Sequence, residues 1–192
     1  MSIPKTYFNP SPETQFRQDK IFLEDYALTT EQVKAIGIDY IKLFINELSK
    51  KDYDLPYLKK NKASIMKDLK KNKFFVYHDK KGHVSRYYGS HKAIGINMHG
   101  VNACLFYKKF VEYRAFQNDK VIGSHSIRNW AEGYLIICAH EFAHYVQKNA
   151  CLHETRYRGL YQKSHGKAFQ DMYRHIRREI VNPMLAAGSE AG

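Results

Sequence analysis

The first regular spacing of apolar and polar positions lies between Val33 and Leu48. Apolar residues recur there every three or four positions, the spacing that places side chains on one face of an α-helix. Thr29 precedes the run and Gln32 follows three residues later, a pair that can cap a helix start through reciprocal bonds between side chains and backbone. The pattern predicts an amphipathic helix over residues 30–49.

The next segment is basic and then changes from helical to strand-like spacing. A thin apolar stripe within residues 57–71 predicts a second helix. From Phe74 onward, aromatic and β-branched residues stand on both sides of Lys80-Lys81-Gly82, a sequence suited to a turn. This arrangement predicts a β-hairpin.

A strand and a long helix are expected in the middle of the chain. Residues 90–99 alternate larger apolar side chains with small or polar ones, which predicts a strand. Residues 104–116 fit a strand and a helix equally well. A broad apolar stripe then predicts a buried helix that is capped by Ser124 or Ser126 and ends near Asn149.

The last elements are a connecting loop at 150–164 and a helix capped by Ser164. The inner face of this helix is apolar and consists of Phe169, Met172, Tyr173, Ile176 and Ile180. Prolines mark residues 1–27 as an irregular arm, and small residues mark 185–192 as a flexible tail. We therefore predict a single α+β domain over 28–184, with a small mixed or antiparallel sheet among its helices.

Cysteine content and hydropathy indicate a compartment. Cys104, Cys138 and Cys151 lack the spacing of a disulfide framework, which fits a reducing environment. The chain has no apolar run suited to a signal peptide or a membrane span. We expect a cytoplasmic protein.

The net charge of +12 is concentrated in two clusters. Residues 59–81 contain nine lysines and two aspartates, and residues 156–178 contain seven lysines or arginines and one aspartate. Such clusters favour a polyanionic partner, nucleic acid first. A solvated surface that keeps the protein dissolved is the alternative.

The chemistry is concentrated in the sequence HEFAH, residues 140–144. Residues four apart on a helix point the same way, so His140 and His144 can bind one cation from successive turns. Glu141 stands beside that face and can reach a water on the metal. The pattern also arises by chance in a chain with ten histidines, but here it lies in a predicted buried helix, where unpaired polar groups are costly.

Catalytic zinc usually takes three protein ligands and leaves one position open. The downstream candidates for the third ligand are His153, Glu154, His165, His175 and Glu179. His165 has the best setting, because Gly166 follows it at a predicted helix start and Phe169 can anchor that turn in the core.

HEFAH followed by SHGKAF, residues 164–169, resembles the SprT-like family of zinc metallopeptidases, which includes the Spartan proteases. The resemblance covers roughly residues 124–180. It implies a zincin-like fold, a Zn²⁺ held by His140, His144 and His165, and Glu141 as general base. The intervening loop is longer than is common in the family, and the Cys₄ zinc ribbon of many members is absent from the sequence.

The resemblance also implies a sheet whose edge strand borders the active-site cleft and holds an extended polypeptide by main-chain pairing. Our candidates for this strand are Ala93, Ile94, Gly95, Ile96 and Asn97, with an ordinary core strand as the alternative. An oxyanion stabiliser is needed as well. Tyr157, Tyr161 and His153 are all candidates, and the sequence does not choose among them.

The leading interpretation is a zinc-dependent peptidase that acts on protein substrates, with DNA-associated proteins as a candidate class. Four basic residues near the third ligand are the candidates for DNA contacts: Lys163, Lys167, Arg174 and Arg178. The alternative is a non-catalytic nucleic-acid-binding protein on a zincin scaffold with a structural zinc. An intact Glu141 argues against that alternative, because a closed structural site has no use for this carboxylate.

Overall fold

The computed structural model describes residues 28–50, 55–79 and 85–190. The arm predicted at 1–27 and the turn predicted at Lys80-Lys81-Gly82 lie outside these ranges. The described chain is a mixed α+β structure in which helices pack with two small sheets.

The two N-terminal helices follow the sequence pattern. Helix α1 covers Thr30–Leu48. At its start Thr29 Oγ1 accepts a hydrogen bond from the Gln32 amide at 3.2 Å, and Gln32 Oε1 accepts one from the Thr29 amide at 2.8 Å, so the predicted capping pair is confirmed. Helix α2 covers Pro56–Asp68 and continues as one π-helical turn, Leu69–Lys73.

The main sheet has three strands in an order that differs from our prediction. Strands β1 (Phe74–Tyr77) and β2 (Arg86–Tyr88) both pair with β3 (Ala93–Asn97). Strand β1 runs parallel to β3, and β2 runs antiparallel to it on the other side. The predicted hairpin between the first two strands is therefore wrong. Alternation along a strand reveals its two faces, but it does not reveal its neighbours.

Strand β3 is central, so the prediction that it is the edge strand at the cleft is also wrong. Its five residues are all buried, namely Ala93, Ile94, Gly95, Ile96 and Asn97. The rings of Phe75 on β1 and Tyr88 on β2 lie against Gly95. A Cβ added to Gly95 would be 2.7 Å from the Phe75 ring and 2.9 Å from the Tyr88 ring. The edges of this sheet are β1 and β2.

The ambiguous segment is resolved as a helix followed by a short strand. Helix α3 covers Met98–Phe106. Strand β4 (Lys109–Phe110) then pairs antiparallel with β5 (His125–Ser126). The loop that joins β4 to β5 contains Glu112, whose amide donates a hydrogen bond to Ser124 Oγ at 3.2 Å.

Helix α4 carries the HEFAH motif and covers Trp130–Asn149. Its cap is Asn129, whose Oδ1 accepts from the Glu132 amide at 3.1 Å, so the predicted caps Ser124 and Ser126 are wrong. Both serines belong to the preceding β4–β5 region, which delays the helix start. The predicted end near Asn149 is confirmed.

The C-terminal part is more helical than expected. Three short 3₁₀ turns follow α4, at Cys151–His153, Thr155–Tyr157 and Leu160–Gln162. Helix α5 (Lys167–Ile176) begins after Gly166 rather than at a Ser164 cap, and it continues through a π-helical turn (Arg177–Val181) into α6 (Asn182–Glu190). Leu185 is buried, so the flexible tail that was predicted to begin at this residue is wrong up to Glu190.

Helix α4 is the centre of the core. It packs against α1, α3, α5 and the main sheet, and Tyr134 and Phe142 are fully buried there. The three cysteines are free and buried. Among the described residues, no helix combines the length and apolarity needed to cross a membrane.

Candidate metal centre

Two histidines of α4 lie on one side of the helix, on successive turns. The ring centroids of His140 and His144 are 5.1 Å apart. Between and beside them, Ala139, Phe142 and Ala143 are fully buried. The core therefore fixes the rotation of the helix, and with it the direction of both imidazoles.

The third histidine is held in a tight turn in front of α5. His165 has a φ of 55°, a left-handed conformation that is uncommon for residues other than glycine. The Gly166 amide donates to the Lys163 carbonyl at 3.0 Å, and the Gln147 side chain of α4 donates to the same carbonyl at 2.5 Å. Gln170 Nε2 donates to the His165 carbonyl at 2.9 Å. These bonds tie the turn to both helices.

The three Nε2 atoms converge. Nε2 of His165 lies 3.1 Å from Nε2 of His140 and 3.0 Å from Nε2 of His144. Metal–nitrogen bonds of about 2.0–2.1 Å would place tetrahedral ligand atoms about 3.3–3.4 Å apart. A neutral imidazole has a single N–H, and one proton facing several nitrogens would be poorly bonded to each. The cluster therefore fits a shared metal ion better than a hydrogen-bonded group.

The electrostatics keep two of the rings neutral. Burial lowers the pKa of His144 to about 2 and that of His165 to about 4, and the charge on His140 adds to both shifts. Burial also acts to lower the pKa of His140, but the carboxylate of Glu112 outweighs it, so that this pKa is raised. The Glu112 carboxylate favours a proton on Nδ1 of His140, so Nε2 can bind a metal once it has released its own proton.

A buried polar network supports His140 from behind. Glu112 is 1% exposed, and its Oε1 lies 3.1 Å from His140 Nδ1, which is an ion-pair distance but not a hydrogen bond by its geometry. The Tyr113 amide donates to the same oxygen at 2.8 Å. Tyr173 donates through its hydroxyl to Glu112 Oε2 at 2.7 Å, and Arg177 Nη1 donates to the Tyr173 oxygen at 3.0 Å. Glu112 therefore receives donors at both oxygens, and together with the positive charge on His140 they hold its pKa below the usual range despite burial.

Sequence reasoning missed Glu112 as a functional residue. It follows Phe110 and Val111 as a charge at the end of a short apolar segment, and nothing in that pattern links it to a motif 28 residues later. The buried Arg177 was also missed. A buried arginine requires a partner, but the sequence does not identify which one.

Glu141 lies in the cleft beside the triad. It is 6% exposed and accepts a hydrogen bond from the Tyr87 amide of β2. Burial raises the pKa of Glu141 to about 7, although the charge of His140 opposes that shift. Because the Tyr87 amide bonds to Glu141 on α4, the outer edge of β2 faces the cleft.

The cleft has a volume of about 650 Å³ and is lined by all three histidines, Glu141 and residues of β2. Of the three candidate oxyanion stabilisers, only His153 lines it, and its ring stacks on Tyr57 with centroids 4.6 Å apart. Tyr157 is buried elsewhere, and Tyr161 does not line the cleft.

The other candidates for the third metal ligand do not converge with His140 and His144. The group of histidine, cysteine and acidic side chains that could share a metal contains His140, His144 and His165, considering only the described residues. His175 Nε2 lies 3.6 Å from Glu47, and Glu179 pairs with Arg178. His165 is thus the predicted ligand that the fold brings to the motif.

Most of the predicted DNA-contacting cations are already paired. Arg174 lies 2.8 Å from Asp119, Lys167 lies 3.3 Å from Asp171, and Arg178 lies 2.6 Å from Glu179. Local carboxylates therefore reduce the positive charge that this surface offers to a phosphate backbone.

Comparison of the chain with protein-family models, curated proteins and solved structures gives no match. The class of this protein is therefore given by its own fold and by the geometry of its site. It is a mixed α+β protein in which three histidines and one glutamate share a cleft.

Proposed function

We propose that this chain is a zinc-dependent metallopeptidase of the SprT-like type, with a zincin-like arrangement of a motif helix beside a small sheet. The observation that supports it most is the position of Glu141. Its carboxylate lies in the same cleft as three convergent histidine nitrogens. A metal-binding group and a protein carboxylate next to it are the two parts that metal-assisted hydrolysis requires.

His140, His144 and His165 would hold the zinc through their Nε2 atoms. Three protein ligands leave a coordination position open, as in catalytic zinc sites, whereas structural sites are usually closed by four. When bound, zinc supplies Lewis acidity, which polarises a carbonyl and acidifies a water ligand.

Glu141 would act as the general base and then as the general acid. It accepts a proton from the attacking water, the water oxygen bonds to the carbonyl carbon, and the same proton passes to the nitrogen as the C–N bond breaks. Burial suits the residue to both roles, because a carboxyl with a pKa near neutral can take up and release a proton.

The polypeptide substrate would lie along β2. The outer edge of this strand faces the cleft, so main-chain pairing could hold an extended segment across the triad with little dependence on sequence. We thus move the proposed substrate-binding strand from β3, which is central, to β2. DNA-associated proteins remain a proposed substrate class on the strength of the net charge of +12.

The test compares wild-type protein with Glu141→Gln. The variant should retain zinc and fold but lose hydrolysis of casein and histones, because an amide cannot accept the proton. Glu132→Gln is the matched control, since Glu132 is a buried carboxylate on the same helix that pairs with Arg128 away from the cleft. Equal cleavage by wild type and Glu141→Gln would remove the proposed role of Glu141, and no cleavage by either would favour the non-catalytic alternative with a structural zinc.

A further inference from the structure

The cleft that contains the histidine triad is lined by three cations from three different elements. Arg86 belongs to β2, Lys92 to the turn before β3, and Lys148 to α4. Among the described residues that line the cleft, Glu141 is the one carboxylate. The cleft is therefore more basic than its catalytic machinery requires.

These charges are not neutralised by carboxylates within the described ranges. Lys148 Nζ donates to two neutral carbonyl groups, those of Tyr161 at 3.2 Å and Gln162 at 2.9 Å, which fix the ammonium without cancelling its charge. The ion pairs of the described chain include neither Arg86 nor Lys92. In contrast, Lys167, Arg174 and Arg178 of α5 and the π turn after it are paired with aspartate or glutamate.

Arg86 has the most direct relation to the reacting groups. It lines the same cleft as Glu141 and the three histidines, and it is adjacent to Tyr87, whose amide bonds to Glu141. A substrate bound in this cleft would therefore share it with Arg86. A guanidinium presents several N–H donors in a plane, a geometry that matches a carboxylate.

We propose that the cleft selects polypeptide segments that carry a carboxylate close to the scissile bond, and that Arg86 binds this carboxylate. The proposal rests on the proposed function, because it names the substrate class of the same site. Two sources share this chemistry, an aspartate or glutamate side chain and a free C-terminal carboxylate. Lys92 and Lys148 add positive potential that draws either one into the cleft.

A peptide suits this cleft better than a nucleic acid strand. A phosphate backbone would bring several negative charges into a cleft that already contains the carboxyl group of Glu141. A peptide brings one carboxylate to Arg86 and otherwise offers neutral main chain to β2. The stacked rings of Tyr57 and His153 could accept a nucleobase, so single-stranded DNA is included as a competitor in the test.

The experiment uses dye-labelled decapeptides in matched pairs that differ only at one central Glu or Gln, or only in a C-terminal carboxylate or amide. Binding is measured by fluorescence anisotropy on Glu141→Gln, with and without zinc, and hydrolysis is measured on zinc-loaded wild type. Acidic peptides should bind about tenfold more tightly than their neutral partners, the scale of one partly exposed charge-assisted contact. Whichever pair shows the difference identifies the source of the carboxylate.

The variant Arg86→Gln should remove that preference. Lys42→Gln is the matched control, because it removes one exposed cation of α1 that does not line the cleft, and it should leave the preference intact. Binding preference without any hydrolysis would support the carboxylate site and remove the peptidase function. Hydrolysis with no preference in either pair, or a preference unchanged in Arg86→Gln, would overturn the inference and leave the peptidase function standing. Stronger competition by single-stranded DNA than by acidic peptides would also overturn it.

Discussion

The network behind His140 gives the sharpest quantitative prediction. In Glu112→Gln the side chain keeps its shape but loses its charge and one acceptor. The surrounding hydrogen bonds all point towards Glu112 and require an acceptor there, because Arg177 donates to Tyr173 and Tyr173 donates to Glu112. A glutamine NH₂ placed at either carboxylate position would face another donor, from Tyr173 on one side or from Tyr113 and His140 on the other.

The magnitude follows from the burial of the contact. Both side chains are largely shielded from solvent, at 14% exposure for His140 and 2% for Glu112. Loss of the partner that orients a metal-binding histidine typically costs about 10–100-fold in metal affinity. Zinc affinity should therefore fall by that factor, which corresponds to about 1.4–2.8 kcal/mol of binding free energy.

The assay is zinc competition against a chromogenic chelator, with thermal unfolding of the metal-free protein as a check on folding. Glu132→Gln makes the same chemical change at a buried carboxylate two turns before His140 and should leave zinc affinity unchanged. A folded Glu112→Gln that binds zinc as tightly as wild type would refute the proposed role of the network.

Four further results are expected. Tyr173→Phe should weaken zinc binding less than Glu112→Gln, because Glu112 keeps its charge; chelator competition on the two variants side by side decides this. His165→Ala should lose most bound zinc in elemental analysis, whereas His153→Ala should retain it. Gly166→Ala should destabilise the ligand turn by about 1–3 kcal/mol, because a methyl there would lie 2.9 Å from the Lys163 carbonyl oxygen, and lower zinc occupancy and melting temperature would register it. Peptide hydrolysis should slow on acidification as Glu141 becomes protonated. The inflection in kcat/KM should lie below pH 7, because a bound cation would lower a carboxyl pKa that burial, against the nearby positive charges, raises to about 7.

Local signals predicted the helices well and singled out the three histidines that the fold brings together. The Thr29–Gln32 capping pair, the span of α1 and the end of α4 near Asn149 could be identified because each depends on neighbours within a few positions. His165 could be identified for the same reason, since a histidine followed by Gly166 suits a tight turn at a helix start.

Features that depend on distant pairings could not be predicted. The parallel pairing of β1 with β3 joins residues 20 apart, such as Phe74 and Ile94, and leaves no periodic mark on either strand. Glu112 is a comparable case, because its relation to His140 and Tyr173 exists only once the β4–β5 loop lies against α4 and α5. Tertiary contact, rather than residue type, gives such a side chain its role.

The position of His165 gives the proposed zinc a mechanical effect on the chain. His144 and His165 lie at the two ends of a twenty-residue segment, 145–164, that contains the last turn of α4 and three 3₁₀ turns. A metal bound at both ends acts as a reversible cross-link that closes this loop, much as a disulfide would. The stability that this cross-link adds would increase with metal concentration, whereas that of a disulfide depends on redox conditions. Chelation would then loosen the wall of the cleft that includes Leu152 and His153, so that substrate access and metal content change together.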